Sequence, residues 1–349
     1  MRQPSIAIIG AGIAGLALAH QLSAHARVTL FDKSRGLGGR LATRRQGETG
    51  FDHGAQYFTV RDARFHAALE PFLEAGHVEA WNAPLMRLNA DRTLERLVDR
   101  APRFVGVPTM TALAKAMAQA IEVRLDRQVL SLAGEPGHWF LVTPEERSGP
   151  FDWVLSSAPA PQTARLLPLD AADAAAVAEV RMNGCFTLML QLPGDTQLPF
   201  EACQVAVEGD AGDPLPVISW MAANNSKPQR DAAVSLVVHA GSAWSDAHLE
   251  DEPDQVRERM LAACRNLFPT IPFDAASGIT LHRWRYANVE RPLGRPFILD
   301  TNRRIGACGD WCIGNRVEAG FLSGHLLGET LTDVMGKLTA KPLSPKLEA

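Results

Sequence analysis

The chain has 349 residues, 46% of them hydrophobic and 21% charged, with a formal charge of −4. It is long enough for two domains or one large composite one, and it can bury a sizeable core without small-scaffold devices. The slightly acidic balance leaves no electrostatic footprint for nucleic acid. Five cysteines, Cys185, Cys203, Cys264, Cys308 and Cys312, form no Cys-x-x-Cys pair, so neither a disulfide framework nor a zinc site is indicated and no metal is expected. They suit a reducing cytoplasm, and no run reaches the roughly 18 apolar residues of a membrane span.

The opening run "IAIIGAGIAGLALAHQLSAHA" invites a secretory-signal reading, but its glycines argue otherwise. Ser5 to Ile9 reads as a short buried parallel strand, and a helix is predicted from about Ile13 to Ser23. Between them Gly10 permits a tight turn, Gly12 lets backbone approach a pyrophosphate, and Gly15 lets the helix pack close. The helix N-terminus, with Ala14 in its first turn, then faces the phosphates with unpaired N–H groups.

Val28 to Phe31 is the next predicted strand, and Asp32 at its end, about 20 positions after Gly10, is placed to bond the ribose hydroxyls of FAD or NAD. Lys33 follows it. Arg40, just beyond Gly38 and Gly39, is placed to lie along a pyrophosphate, neutralising its charge while the glycines clear space. Met110 precedes a predicted helix running to about Ala120, with Thr109 or Thr111 as cap. Glu122 to Leu132 and "GHWFLVTP" read as strands of a meander, and Phe151 to Pro159 as a strand.

From about 180 to 290 the runs "CFTLMLQL", "CQVAVEG", "PVISWMAAN" and "AVSLVVHAG" read as strands, with a helix near 254 to 267. Strands followed by one helix suggest an α+β domain with a mainly antiparallel sheet. Arg304 to Asp310 reads as a strand ending in Gly309-Asp310, a carboxylate at a strand end. Val317 then opens a helix in which Glu318, Ala319 and Phe321 approach the cofactor. The fold expected is thus an α/β Rossmann-type cofactor domain, a parallel sheet with a β-meander, plus the α+β substrate domain. The boundaries read as 1–75, 101–165 and 295–338 for the cofactor domain, 76–100 and 166–294 for the substrate domain, and 339–349 for a flexible tail.

The first glycine motif, an acid, and then Gly-Gly-Arg resemble the flavin-containing amine oxidase superfamily, with Asp32 where Glu is more usual. The resemblance implies non-covalent FAD, with the Asp310 carboxylate on its ribityl hydroxyls. It also implies that the segment from Phe51 to Phe58 passes beside the flavin ring, with Gly54 and Ala55 leaving room and Gln56 near the flavin edge. Val129 matches a valine that meets adenine, or is ordinary core. Within the superfamily, "DHGAQYFT", "SLVVH", "HRWRYANV" and "ACGD" are most similar to the bacterial renalases. That likeness implies oxidation of misreduced 2- or 6-dihydronicotinamide dinucleotides, with hydride passing to the flavin and O2 returning hydrogen peroxide.

No proton leaves carbon in such a reaction, so no catalytic triad is expected. Trp284, His239, Tyr57 and Trp220 are the candidates for stacking and orienting the nicotinamide. Trp284 is otherwise a packed core ring, and His239 a satisfied core histidine. Arg285 meets either a substrate phosphate or carboxamide, or a surface acid. An amine oxidase is the alternative activity, although only Tyr57 and Tyr286 are available as the tyrosine pair that often clasps an amine. Desaturases, porphyrinogen oxidases and a non-catalytic flavoprotein are further alternatives. Oligomeric state and the NAD versus NADP preference are not legible.

Overall fold

In the computed structural model, which describes residues 3–98, 101–206 and 215–340, the run that imitates a signal peptide is the centre of a buried sheet. Ser5–Ile9 is buried at every residue and lies between the parallel strands Arg27–Phe31 and Trp153–Ser156. Glu122–Arg124 extends the sheet on one side. Ile305–Ala307 extends it on the other, and the antiparallel Ile298–Asp300 closes that edge, giving six strands. A three-stranded antiparallel meander, Ser131–Glu135, His138–Val142 and Arg147–Phe151, stands beside it.

The first helix, Ile13–Leu22, is apolar nearly all round, as a helix enclosed on several sides must be. Its outer neighbour is the C-terminal helix, Val317–Ala340. Small residues set their separation. A Cβ on Gly324 would stand 2.0 Å from the Ala14 carbonyl oxygen, and one on Gly328 2.5 Å from Gln21 Cβ. Helix Val317–Ala340 is therefore locked against helix Ile13–Leu22 by close approach at these two glycines.

The second layer is a seven-stranded sheet, antiparallel except for one parallel pairing. Its long strands are Arg181–Gln191 and Gly278–Arg291, followed across the sheet by Ser235–Ala240, Ile218–Ala223, Ala202–Val205, Leu85–Leu88 and Leu94–Arg96. One face carries Phe186, Leu188, Leu190, Leu236, Val238 and Met221, and helix Pro253–Leu267 covers it with Val256, Met260, Leu261 and Leu267. The other face turns toward the first sheet. Strand alternation thus divides this sheet into a core face and a face available to a site.

Several predicted elements shift. The helix near 111 is Thr111–Met117, and neither threonine caps it: the Thr111 hydroxyl instead accepts from the Thr43 N–H at 2.7 Å. The alternating stretch from Glu122 to Leu132 is two separate strands, the first in the parallel sheet and the second in the meander, because the chain crosses between sheets there. The strand of "CQVAVEG" is Ala202–Val205; positions 207–209, like the predicted tail from 341 onward, lie outside the described residues. The hairpin Thr43–Gln46 and Thr49–Asp52, which fixes the start of the 51–58 segment, is an addition.

Candidate active site

The glycine turn is explained by its own contacts. Gly10 has φ +108° and donates its N–H to the Phe31 carbonyl at 2.8 Å, while a Cβ on Gly15 would lie 2.0 Å from the Gly10 oxygen. Gly12 differs. It caps helix Ile13–Leu22 with no side-chain hydrogen bond, and nothing lies within 4 Å of where its Cβ would be. Intramolecular packing therefore accounts for Gly10 and Gly15 but not for Gly12, which opens a cradle over unpaired helix N–H groups.

Around that cradle the predicted residues converge. Asp32 accepts the Ala11 and Ser34 N–H groups, both at 2.7 Å, which holds its carboxylate at the strand end beside the turn. The Gly38 N–H bonds the Ala11 carbonyl at 3.0 Å, and Gly39 (φ +53°) lies against Gly12, so the two glycine motifs form one wall. Arg40 and Asp310, assigned separately to pyrophosphate and ribityl, are here paired with each other through two hydrogen bonds at 2.6 and 2.7 Å. Glu318 is buried and accepts the Arg61 and Asp62 N–H groups at 2.6 and 2.8 Å, tying the C-terminal helix to the chain beyond Phe58. Ala319, Phe321 and Val129 are buried, whereas Lys33 is exposed. Cys308 and Cys312 are buried, and burial pushes the Cys312 thiol up to about 12, as expected of inert sulfurs rather than attachment points.

Segment 53–57 is held between the Gly-Gly-Arg loop and the large sheet. The Ala55 N–H bonds the Arg40 carbonyl at 2.8 Å, and a Cβ on Gly54 would collide with that same oxygen at 2.1 Å. On its other side runs one register row of the sheet: His282, Thr187, His239, Trp220 and Gln204, each the direct cross-strand partner of the next. The His53 carbonyl accepts from Thr187 Oγ1 at 3.0 Å and from Trp284 Nε1 at 2.9 Å. Tyr57 faces Trp220 and Trp81, with ring centroids 5.8 and 6.2 Å apart. Four predicted site residues, Tyr57, Trp220, His239 and Trp284, therefore share one region.

Arg285 does not join them. Alternation along Gly278–Arg291 places it opposite Trp284, where it forms a two-pronged pair with Glu250 on the exposed side. Of its two predicted partners, the surface acid is the one observed. Gln56 is committed inward: its amide contacts Lys227, His239 and backbone carbonyls.

Five further residues complete the region. His53 and His282 stand edge to face at 4.7 Å, and Trp284 lies 4.9 and 4.3 Å from them. Lys227 and Arg230 share the buried carboxylate of Asp52, at 3.2 and 2.7 Å. Burial, aided by His282 and Arg44, pushes His53 down to about 3, while burial and Lys227 push His239 down to about 4. His282 falls to about 4 through burial and Arg44. All three are neutral near pH 7. The alternation of "HRWRY" already placed His282 on the face of Trp284; nothing local distinguishes Lys227 from a surface lysine.

Comparisons with known proteins agree with this architecture. Residues 8–72 match the profile of an NAD(P)-binding Rossmann-like domain. A protein described as a protoporphyrinogen oxidase, from Exiguobacterium sp. 255-15, superposes with a TM-score of 0.76 at 14% identity, over 96% of this chain and all of that one. The fold is shared. Cyclohexylamine oxidase from Brevibacterium oxydans IH-35A gives 0.72 at 13% identity, over 96% of this chain and 100% of that one. A putrescine oxidase bound to putrescine gives 0.65 at 12%, over 95% and 99%. The α/β Rossmann-type domain joined to a mainly antiparallel sheet is thus the architecture of these oxidases. No helix among the described residues is long and apolar enough to cross a membrane, and none of their His, Cys, Asp and Glu side chains cluster as a metal site.

Proposed function

We propose that the chain is an FAD-dependent oxidoreductase that oxidises misreduced dihydronicotinamide dinucleotides, 2-dihydro-NAD(P) foremost, with O2 as final acceptor. Overall, one dihydro substrate, one O2 and one proton give NAD(P)+ and one hydrogen peroxide. The cradle left open at Gly12 fits a non-covalent dinucleotide. Gly12 and Ala14, in the turn that Gly10 and Gly15 shape, would meet its pyrophosphate and Asp32 its ribose, with Arg40, Asp310 and Glu318 along its length. FAD, when bound, supplies a two-electron acceptor. We assign 1–75, 101–165 and 295–338 to the cofactor domain and 76–100 and 166–294 to the substrate domain, with Tyr57 and Arg103 of the former reaching the substrate region.

The observation that carries the substrate reading is the charge of the aromatic region. Arg103 lies 5.7 Å from the Tyr57 centroid and 5.4 Å from that of Trp81, with Lys227 5.5 Å from the latter. The Asp52 carboxylate is shared by Lys227 and Arg230, and the nearby histidines are neutral. Such surroundings repel an alkylammonium ion and favour a neutral ring carried on an anionic dinucleotide. Trp220, Trp284 and Tyr57 orient that ring, and His239 offers it hydrogen bonding. No side chain has to take a proton from carbon.

Anaerobic mixing of the purified protein with 2-dihydro-NAD, 6-dihydro-NAD, 4-dihydro-NADH and a panel of amines, followed by flavin absorbance, tests this. Rapid bleaching by a 2- or 6-dihydro isomer with amines inert is expected. Bleaching by an amine alone would transfer the assignment to amine oxidation.

A further inference from the structure

Gln56 is wedged between a cation and a histidine. Its Oε1 lies 3.2 Å from Lys227 Nζ. Its Nε2 contacts the Asp52 carbonyl, lies 3.1 Å from the Gly54 carbonyl, and stands 3.3 Å from His239 Nε2. An ammonium only donates, so the amide oxygen must face Lys227 and the NH2 group must face the carbonyls and the histidine. An amide nitrogen does not accept. His239 Nε2 therefore presents its lone pair at this contact, and the single proton of the neutral ring resides on Nδ1.

Lys227 is itself fixed. It is buried and also bonds Asp52 Oδ2 at 3.2 Å and Asn224 Oδ1 at 3.3 Å, while Arg230 holds the same Asp52 oxygen at 2.7 Å. Lys227, the Gln56 amide and the His53 backbone act on His239, and His282 lies two strands along the same row. We propose that Lys227 is a positioning residue that acts through the Gln56 amide to hold His239 as the neutral Nδ1–H tautomer, a directed hydrogen-bond donor whose other nitrogen is occupied. The functional consequence rests on the proposed reaction, in which the ring must be oriented rather than deprotonated. The tautomer is a property of the protein whatever its substrate.

Histidine-selective 15N labelling of the full chain as purified, read by long-range 1H–15N correlation, reports the protonated nitrogen directly, and loss of the signal in His239→Gln assigns it. The wild type should show Nδ1–H, unchanged between about pH 7 and pH 6, where Lys227 is an ammonium. Gln56→Glu replaces the NH2 group by an acceptor, so the proton should move to Nε2 and the ring should titrate at higher pH. Lys227→Met leaves only the Asp52 and Gly54 carbonyls to orient the amide and should lower the Nδ1–H population, whereas Lys227→Arg, which also only donates, should restore it. A wild-type ring protonated on Nε2, or an unaltered tautomer in Gln56→Glu, would overturn the proposal. Near-UV circular dichroism verifies folding. Should Lys227→Met not fold, Gln56→Glu, which retains both Lys227 and Asp52, decides alone. None of these signals requires turnover, so inert dihydronicotinamides would defeat the substrate reading without touching this one.

Discussion

Replacing Asp52 by asparagine should be the most damaging conservative change in the chain. The carboxylate is fully buried and accepts from Thr43 Oγ1 at 2.6 Å and the Met110 N–H at 3.1 Å on one oxygen, and from Lys227 and Arg230 on the other. Asparagine retains an oxygen for the first pair but turns an NH2 group toward two cations, donor against donor. Removing one partner of a buried ion pair costs about 3–5 kcal/mol. That is a large share of a total stability of about 5–15 kcal/mol. Lys227 has an escape that Arg230 lacks. Burial already lowers it from 10.5 to about 8 despite the attraction of Asp52, and in the variant it falls further. The folded variant then binds fewer protons than the folded wild type until Lys227 of the latter also deprotonates near 8, so its deficit should shrink as pH rises toward about 8 and level off above it. Urea denaturation of both proteins across that range measures this. Asp52→Asn/Lys227→Met, which removes one stranded cation, should recover part of the loss. A cost below about 1 kcal/mol, or a double variant less stable than the single one, would refute the argument.

Two other outcomes follow from the geometry. Gly12→Ala should fold as well as the wild type but lose flavin, because its Cβ enters the open cradle; Gly15→Ala, whose Cβ meets the Gly10 oxygen at 2.0 Å, should lose both flavin and about 1–3 kcal/mol. The ratio of flavin to protein absorbance, read beside the melting temperature, separates the two, and equal flavin retention in Gly12→Ala would count against the cradle. Acid should destabilise the protein early. His53, His239 and His282 are lowered to about 3, 4 and 4 from 6.5, so between about pH 6.5 and pH 4 the unfolded chain takes up protons that the folded one refuses. Stability is thus lost as pH falls through that window. His282→Gln should shallow the slope of melting temperature against pH, and an unchanged slope would remove His282 from the account.

What could be read beforehand follows the range of the interactions involved. The turn at Gly10 to Gly15, the acid at Asp32 and the strand and helix around them depend on neighbours close in sequence, and they stand where local chemistry placed them. The placement of Arg285 was legible too. In "HRWRYA" one residue in two shares a face, and Trp284 on the site face puts Arg283 and Arg285 on the other, where both reach Glu250.

The interior charges belong to another category. Asp52 and Lys227 are separated by most of a domain in sequence, and each alone has the composition of a solvated surface residue. Only the apposition of the hairpin ending at Asp52 with the turn Asn224–Ser226 encloses them. That apposition also makes the cluster consequential. Asp52 begins the segment that lies between the glycine wall and the His282–Thr187–His239–Trp220 row, and Lys227 bonds both Asp52 and Gln56 of that stretch. A buried ion pair costs desolvation that a hydrophobic pair of similar volume would not. Its place at this junction accords with a role in fixing the register between cofactor cradle and aromatic row, since a shift of segment 53–57 would break Asp52, Gln56 and His53 contacts together.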